Sequence, residues 1–71
     1  MRAVEVMAVA VLAERLRNRR YFCPNPGCPL RHGFSGREAK LEFVREFWWV
    51  KALVFCPECG RLVDTDVEVI A

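Results

Sequence analysis

Cys56-Pro57-Glu58-Cys59-Gly60 is the stretch of this 71-residue chain whose reading decides the fold. Two cysteines separated by two residues can place their sulfurs on one edge of a tetrahedron around a single metal ion. Pro57 stiffens the intervening turn, and Gly60 supplies the left-handed residue that follows it. A second close pair, Cys23 and Cys28, lies upstream, and 27 residues separate the two pairs. Cys23, Cys28, Cys56 and Cys59 therefore make a full set of four thiolates. Zn2+ is the ion that prefers such a soft tetrahedral set, with Zn–S near ~2.3 Å.

Length makes a staple necessary. A chain this short forms one domain and buries only roughly 60% of its unfolded surface, too little for a generous core. Two disulfides are the rival reading of four cysteines, and compartment decides between them. The apolar run 6–13 is short, follows a single basic residue and leads into Glu14 and a run of arginines, unlike a signal peptide. No segment is long enough to span a membrane. The expectation is a cytoplasmic protein with reduced thiols and one structural zinc. His32, three residues beyond Cys28, is an alternative ligand. A redox role for the Cys56/Cys59 pair lacks the βαβ context of thioredoxin-like sites.

The Cys56-Pro57-Glu58-Cys59-Gly60 knuckle resembles the zinc-ribbon family, whose second knuckle often reads Cys-Pro-x-Cys-Gly. The resemblance spans roughly residues 21–70 as an architecture. It implies a zinc-bound, three-stranded antiparallel ribbon of a kind that recurs in transcription, translation and nucleic-acid modification. The first knuckle departs from the pattern, with four intervening residues in place of two and Pro29 where glycine is common.

Around the cysteines, residues 3–17 read as a helix. Val4, Ala8, Val11, Leu12 and Arg15 follow helical spacing, Glu5 lies in the first turn, and arginines gather at the far end, as the dipole prefers. A strand through Val4, Val6, Ala8, Ala10 and Leu12 is the alternative. In the first cysteine loop, Asn25-Pro26-Gly27-Cys28 suits a type II turn with positive φ at Gly27. Residues 30–37 read as loop. Segment 38–55 carries two readings. Ser35-x-x-Glu38 resembles a capping box before a helical apolar face, yet Phe, Val and Trp favour strands over 41–48 and 50–55. The strands are preferred, and 61–70 adds a third in which Asp64, Asp66 and Glu68 form an exposed acidic face. The fold class expected is α+β, a small zinc ribbon over 20–71 preceded by a helix within 1–19.

Charge is polarised along the chain. Residues 14–40 carry seven basic groups (Arg15, Arg17, Arg19, Arg20, Arg31, Arg37, Lys40) against two acidic ones, and 41–71 carry three against six. The formal net charge is +2 with neutral thiols, and four thiolates with one Zn2+ bring it close to zero. The seven cations are the candidate contacts for DNA or RNA, with Tyr21, Phe22 or His32 available to stack on bases. The alternative is a solvated helix end. The absence of glutamine and the presence of only two asparagines suit a thermophile.

Hydrophobic content of 54% is high for so small an interior and points to burial against another chain. Adjacent tryptophans cannot both face one core from a strand, so Trp48 and Trp49 are the candidate protein interface, for a partner or for self-association. The blander reading seats Phe47 and Trp48 in the core and leaves Trp49 covering the sheet edge. No catalytic dyad, phosphate-binding loop or small-molecule site is legible. The expected function is a non-enzymatic zinc adaptor in nucleic-acid machinery, with a purely protein-binding subunit or homodimer as the alternative.

Overall fold

The computed structural model describes residues 3–70. Helix α1 (Ala3–Arg17) leads into a two-residue strand β1 (Arg20–Tyr21), a 3-10 turn (Pro29–His32) and a two-residue strand β2 (Phe34–Ser35). Three longer strands follow: β3 (Lys40–Glu46), β4 (Trp49–Phe55) and β5 (Leu62–Val69). They form an antiparallel sheet in the order β3-β4-β5, and β1 pairs with β2 in a separate ladder. The α+β class and the three strands expected from the sequence are all present.

The helix forms because its residues propagate helix well and because one stripe finds a core. Ala8, Leu12 and Leu16, four apart, are buried against Val50, Ala52 and Val54 of β4, with Leu12 and Leu16 fully enclosed. Val11, expected on the buried stripe, is half exposed instead, because the packed face centres on the Ala8–Leu12–Leu16 row. The side chains of Val4 and Glu5 lie outside the described residues.

Strands won segment 38–55 for a reason visible in its register. Val50, Ala52 and Val54 alternate into the core while Trp49, Lys51, Leu53 and Phe55 point away, a period of two that a helix cannot satisfy. Ser35, read as part of a capping box, instead closes a turn: its carbonyl accepts the Glu38 N–H at 2.9 Å and its Oγ accepts the Arg37 N–H at 3.2 Å.

Register assigns the residues of the three-stranded sheet to its two faces, except at the irregularity beside Val54 and Phe55, where Val63 has no partner. Val50 stands between Arg45 and Glu68, Ala52 between Phe43 and Asp66, and Val54 between Leu41 and Asp64. This face receives α1. The opposite face carries Trp49, Lys51, Leu53 and Phe55, flanked by Val44 on β3 and by Leu62, Val67 and Val69 on β5. Among the described residues no element covers it: Val44, Leu62, Val67 and Val69 are between 40% and 54% exposed.

Residues 30–37 are more ordered than a loop. They hold the 3-10 turn and β2, and Arg20 pairs with Ser35 and Tyr21 with Phe34. Phe34 is buried, its ring centroid 6.0 Å from that of Tyr21. This ladder closes the first cysteine loop at its base. The molecule is elongated, 41 × 20 × 15 Å. Cysteines gather beyond one end of β4 and the β3–β4 hairpin tip caps the other, about 20 Å away along the strand.

Candidate metal centre

β4 runs out at Phe55 and delivers Cys56 directly into the second knuckle. There the Cys56 N–H donates to the Arg61 carbonyl and the Gly60 N–H to the Cys56 carbonyl, each at 2.9 Å. Gly60 has φ of 73°, the left-handed conformation that its place in the sequence led us to expect.

The first knuckle is built differently from expectation. The Cys28 N–H donates to the Asn25 carbonyl at 3.0 Å, closing a turn, but Gly27 does not adopt positive φ, so the turn is not type II. Asn25 is the reason: its Oδ1 accepts the Gly27 N–H at 3.1 Å, an Asx turn that fixes the loop without a left-handed residue. The Cys23 N–H then reaches the Leu30 carbonyl at 3.4 Å, drawing the wider loop back over the site.

Together the two turns bring all four sulfurs within 4.8 Å of one another. Cys23 Sγ lies 3.2 Å from Cys59 Sγ, and Cys28 Sγ lies 3.6 Å from Cys56 Sγ. Those separations are far beyond a disulfide bond and close to the roughly 3.8 Å edge of a tetrahedron with ~2.3 Å metal–sulfur bonds. The four thiols are free. The residues present thus fit one tetrahedral metal ion. His32, exposed at the end of the 3-10 turn, stands outside the cluster.

Backbone N–H groups aim at the sulfurs: Asn25 at Cys23, Leu30 at Cys28, and Glu58 and Cys59 at Cys56. Burial alone would raise the Cys56 thiol. The Cys59 and Glu58 N–H donors, helped by the neighbouring thiols of Cys28 and Cys59, outweigh it and bring Cys56 down to about 7. Cys23 moves the other way, pushed up to about 12, chiefly by burial and then by its crowding thiol neighbours. Cys56 is thus lowered while Cys23 and Cys28 are raised, the pattern of like charges crowding one site, and a divalent cation bound there would relieve that crowding. Cys23, Cys28 and Cys56 are buried and belong to the hydrophobic core, whereas Cys59 is exposed.

The seven candidate cations are not left as one free patch. Arg15 forms ion pairs with Asp66 (3.1 Å) and Glu68, and Arg19 reaches Asp66 at 3.3 Å. Asp66 and Glu68, expected on an exposed face, lie on the α1 side of β5 and are partly buried there. Arg15 and Arg19, four apart on the descending chain, match acids two apart on a strand. That complementary spacing is the signal a sequence reading had available and did not use. Arg17, Arg20, Arg31, Arg37 and Lys40 are exposed. Arg37 approaches Asn18 (3.4 Å) and Arg31 the Pro26 carbonyl (3.4 Å).

At the far end, Phe47 and Trp48 form the two-residue hairpin turn and are 84% and 61% exposed. The reading that seats them in the core is overturned: a two-residue turn leaves both side chains beyond the last ladder pair, Glu46–Trp49. Trp49 is half buried on the uncovered face, its ring 6.3 Å from that of Trp48. No helix among the described residues is long and apolar enough to cross a membrane. Comparison with protein-family models, with curated proteins and with solved structures returns no match.

Proposed function

We propose that the chain is a non-enzymatic, zinc-stapled module that docks protein through its hairpin tip and uncovered sheet face. Cys23, Cys28, Cys56 and Cys59 hold one Zn2+, and four thiolates close its coordination sphere, which suits a structural role. The observation that carries the docking reading is Phe47. It occupies the first position of a two-residue hairpin turn with φ of 32°, where glycine is the favoured residue, and it is 84% exposed. A bulky aromatic held in that conformation costs local stability, so its presence is explained by what it contacts outside the chain.

Two measurements test this. Elemental analysis of the purified protein is expected to give one zinc per chain, reduced on Cys56→Ser. Iron in its place, which tetrahedral sulfur also accepts, overturns the zinc assignment. A photo-reactive amino acid at position 47 is expected to cross-link protein, the chain itself included, in its native cell. A tip that captures none overturns the docking reading.

Nucleic-acid contact is the second reading, supported by the exposure of Arg17, Arg20, Arg31, Arg37 and Lys40. It expects salt-sensitive RNA or DNA binding that weakens on replacing Arg17 and Arg20. Arg15 and Arg19, engaged by Asp66 and Glu68, contribute little to it.

A further inference from the structure

We infer that the uncovered sheet face packs on the same face of a second copy of this chain, turned end for end about a two-fold axis across the strands. The inference rests on the protein-docking reading above and names its partner.

The two ends of the face differ. At the hairpin end stand Trp49, half buried on the face, and the exposed Trp48 of the turn, their rings 6.3 Å apart. Lys40, Glu42, Phe55 and Gly60 line a shallow depression of about 190 Å3 at the cysteine end. A rotation about an axis crossing the middle of β4 carries each tryptophan pair onto the depression of the other copy. Both contacts form at once, as an isologous dimer requires. Lys40 then lies beside an indole, an arrangement favoured by cation–π attraction.

The charges on the face fit the same rotation. In register order it presents Glu46, Lys51, Glu42 and Lys40 from the hairpin end to the cysteine end. Turned end for end, Glu46 meets Lys40 of the second copy, and Lys51 comes beside Glu42. A two-fold axis along the strands would instead stack Lys51 on Lys51, which like charge disfavours. Between the charges, Val44 and Leu53 supply apolar area. The footprint is small: three strands about 14 Å across and roughly 20 Å long cover far less than the ~800 Å2 per partner of a standard interface. An interface of that size belongs to the weak, transient class, so the dimer is to be sought in the micromolar range, roughly 10–100 µM.

Sedimentation equilibrium of the zinc-loaded full chain over that concentration range tests the inference. A reversible dimer is expected. Lys40→Glu and Glu46→Lys, both on a solvent-facing surface, should each raise its dissociation constant about tenfold. The double variant should restore it, because the reversed charges pair again. Leu53→Lys, on the central strand and out of reach of an edge-to-edge ladder, should abolish the dimer while leaving circular dichroism unchanged. A dimer that survives Leu53→Lys, or ignores the charge reversals, overturns this geometry. A chain that stays monomeric at several hundred micromolar overturns self-pairing altogether, and position-47 cross-links to other proteins would then still support docking.

Discussion

Gly36 sits where the chain leaves β2 and passes under the end of α1, its N–H donating to the Arg19 carbonyl at 2.8 Å. A Cβ there would meet the Leu16 carbonyl oxygen at 1.8 Å, and backbone cannot swing aside as a side chain can. Gly36→Ala is therefore expected to cost about 2–3 kcal/mol, read as a lowered urea midpoint. Tyr21 presents the opposite case. Its ring is buried against Phe34, while its hydroxyl has no hydrogen-bond partner of good geometry, with the Arg19 guanidinium near it but not completing a bond. Tyr21→Phe removes that uncompensated group and should leave stability unchanged or raise it by up to about 1 kcal/mol. Phe47→Gly should likewise stabilise the hairpin by about 1 kcal/mol, since only the side chain makes the positive φ costly. A melting temperature that falls in this variant would mean that Phe47 is held by contacts within the chain.

α1 is fastened to β5 by charge as well as by leucine. Burial would by itself raise the Asp66 carboxyl, but the Val67 N–H and the Arg15 guanidinium outweigh it and hold it below the usual carboxylate range. With the folded value depressed, this contribution is complete above pH ~4, the unfolded range, and is lost as pH falls through the folded value. Acid would also protonate the cysteines, and with them release a bound metal, at higher pH, so the pair is best read near neutrality. A double-mutant cycle with Arg15→Met and Asp66→Asn should give a small favourable coupling that shrinks in high salt. The pairing also shows where sequence reading stopped. The β4 alternation and the α1 spacing were legible because each element repeats its own signal over seven residues or more. β1 and β2 were not, because two residues carry no period and exist only as each other's partners. The acids on β5 were read as exposed because a strand pattern shows which residues share a face. It does not show that Arg15 and Arg19 wait on the other side. That the four cysteines converge was legible, yet the Asn25 turn was not, since proline and glycine spacing permits several turns and the Asn25 side chain selects one.

On the scale of the whole molecule, three of the four clustered cysteines lie in the same cluster as Leu12, Leu16 and Val54. Candidate metal site and core are thus one structure, and a chain this short has little else to hold it. Stripping the metal with a strong chelator at neutral pH should abolish the cooperative thermal transition, and added zinc should restore it. A retained transition would show that α1 and the three-stranded sheet fold without the ion. The layout has a further use for the experimenter. Both tryptophans of the chain stand at the hairpin end, a strand's length from the cysteines. Intrinsic fluorescence is consequently a local gauge of the docking end, with Trp48 starting in water and Trp49 half sheltered. Contact with a partner should shift the emission to the blue while the metal stays bound, and loss of metal should register there only when the fold itself gives way. One optical signal, followed against both titrations, separates recognition from folding.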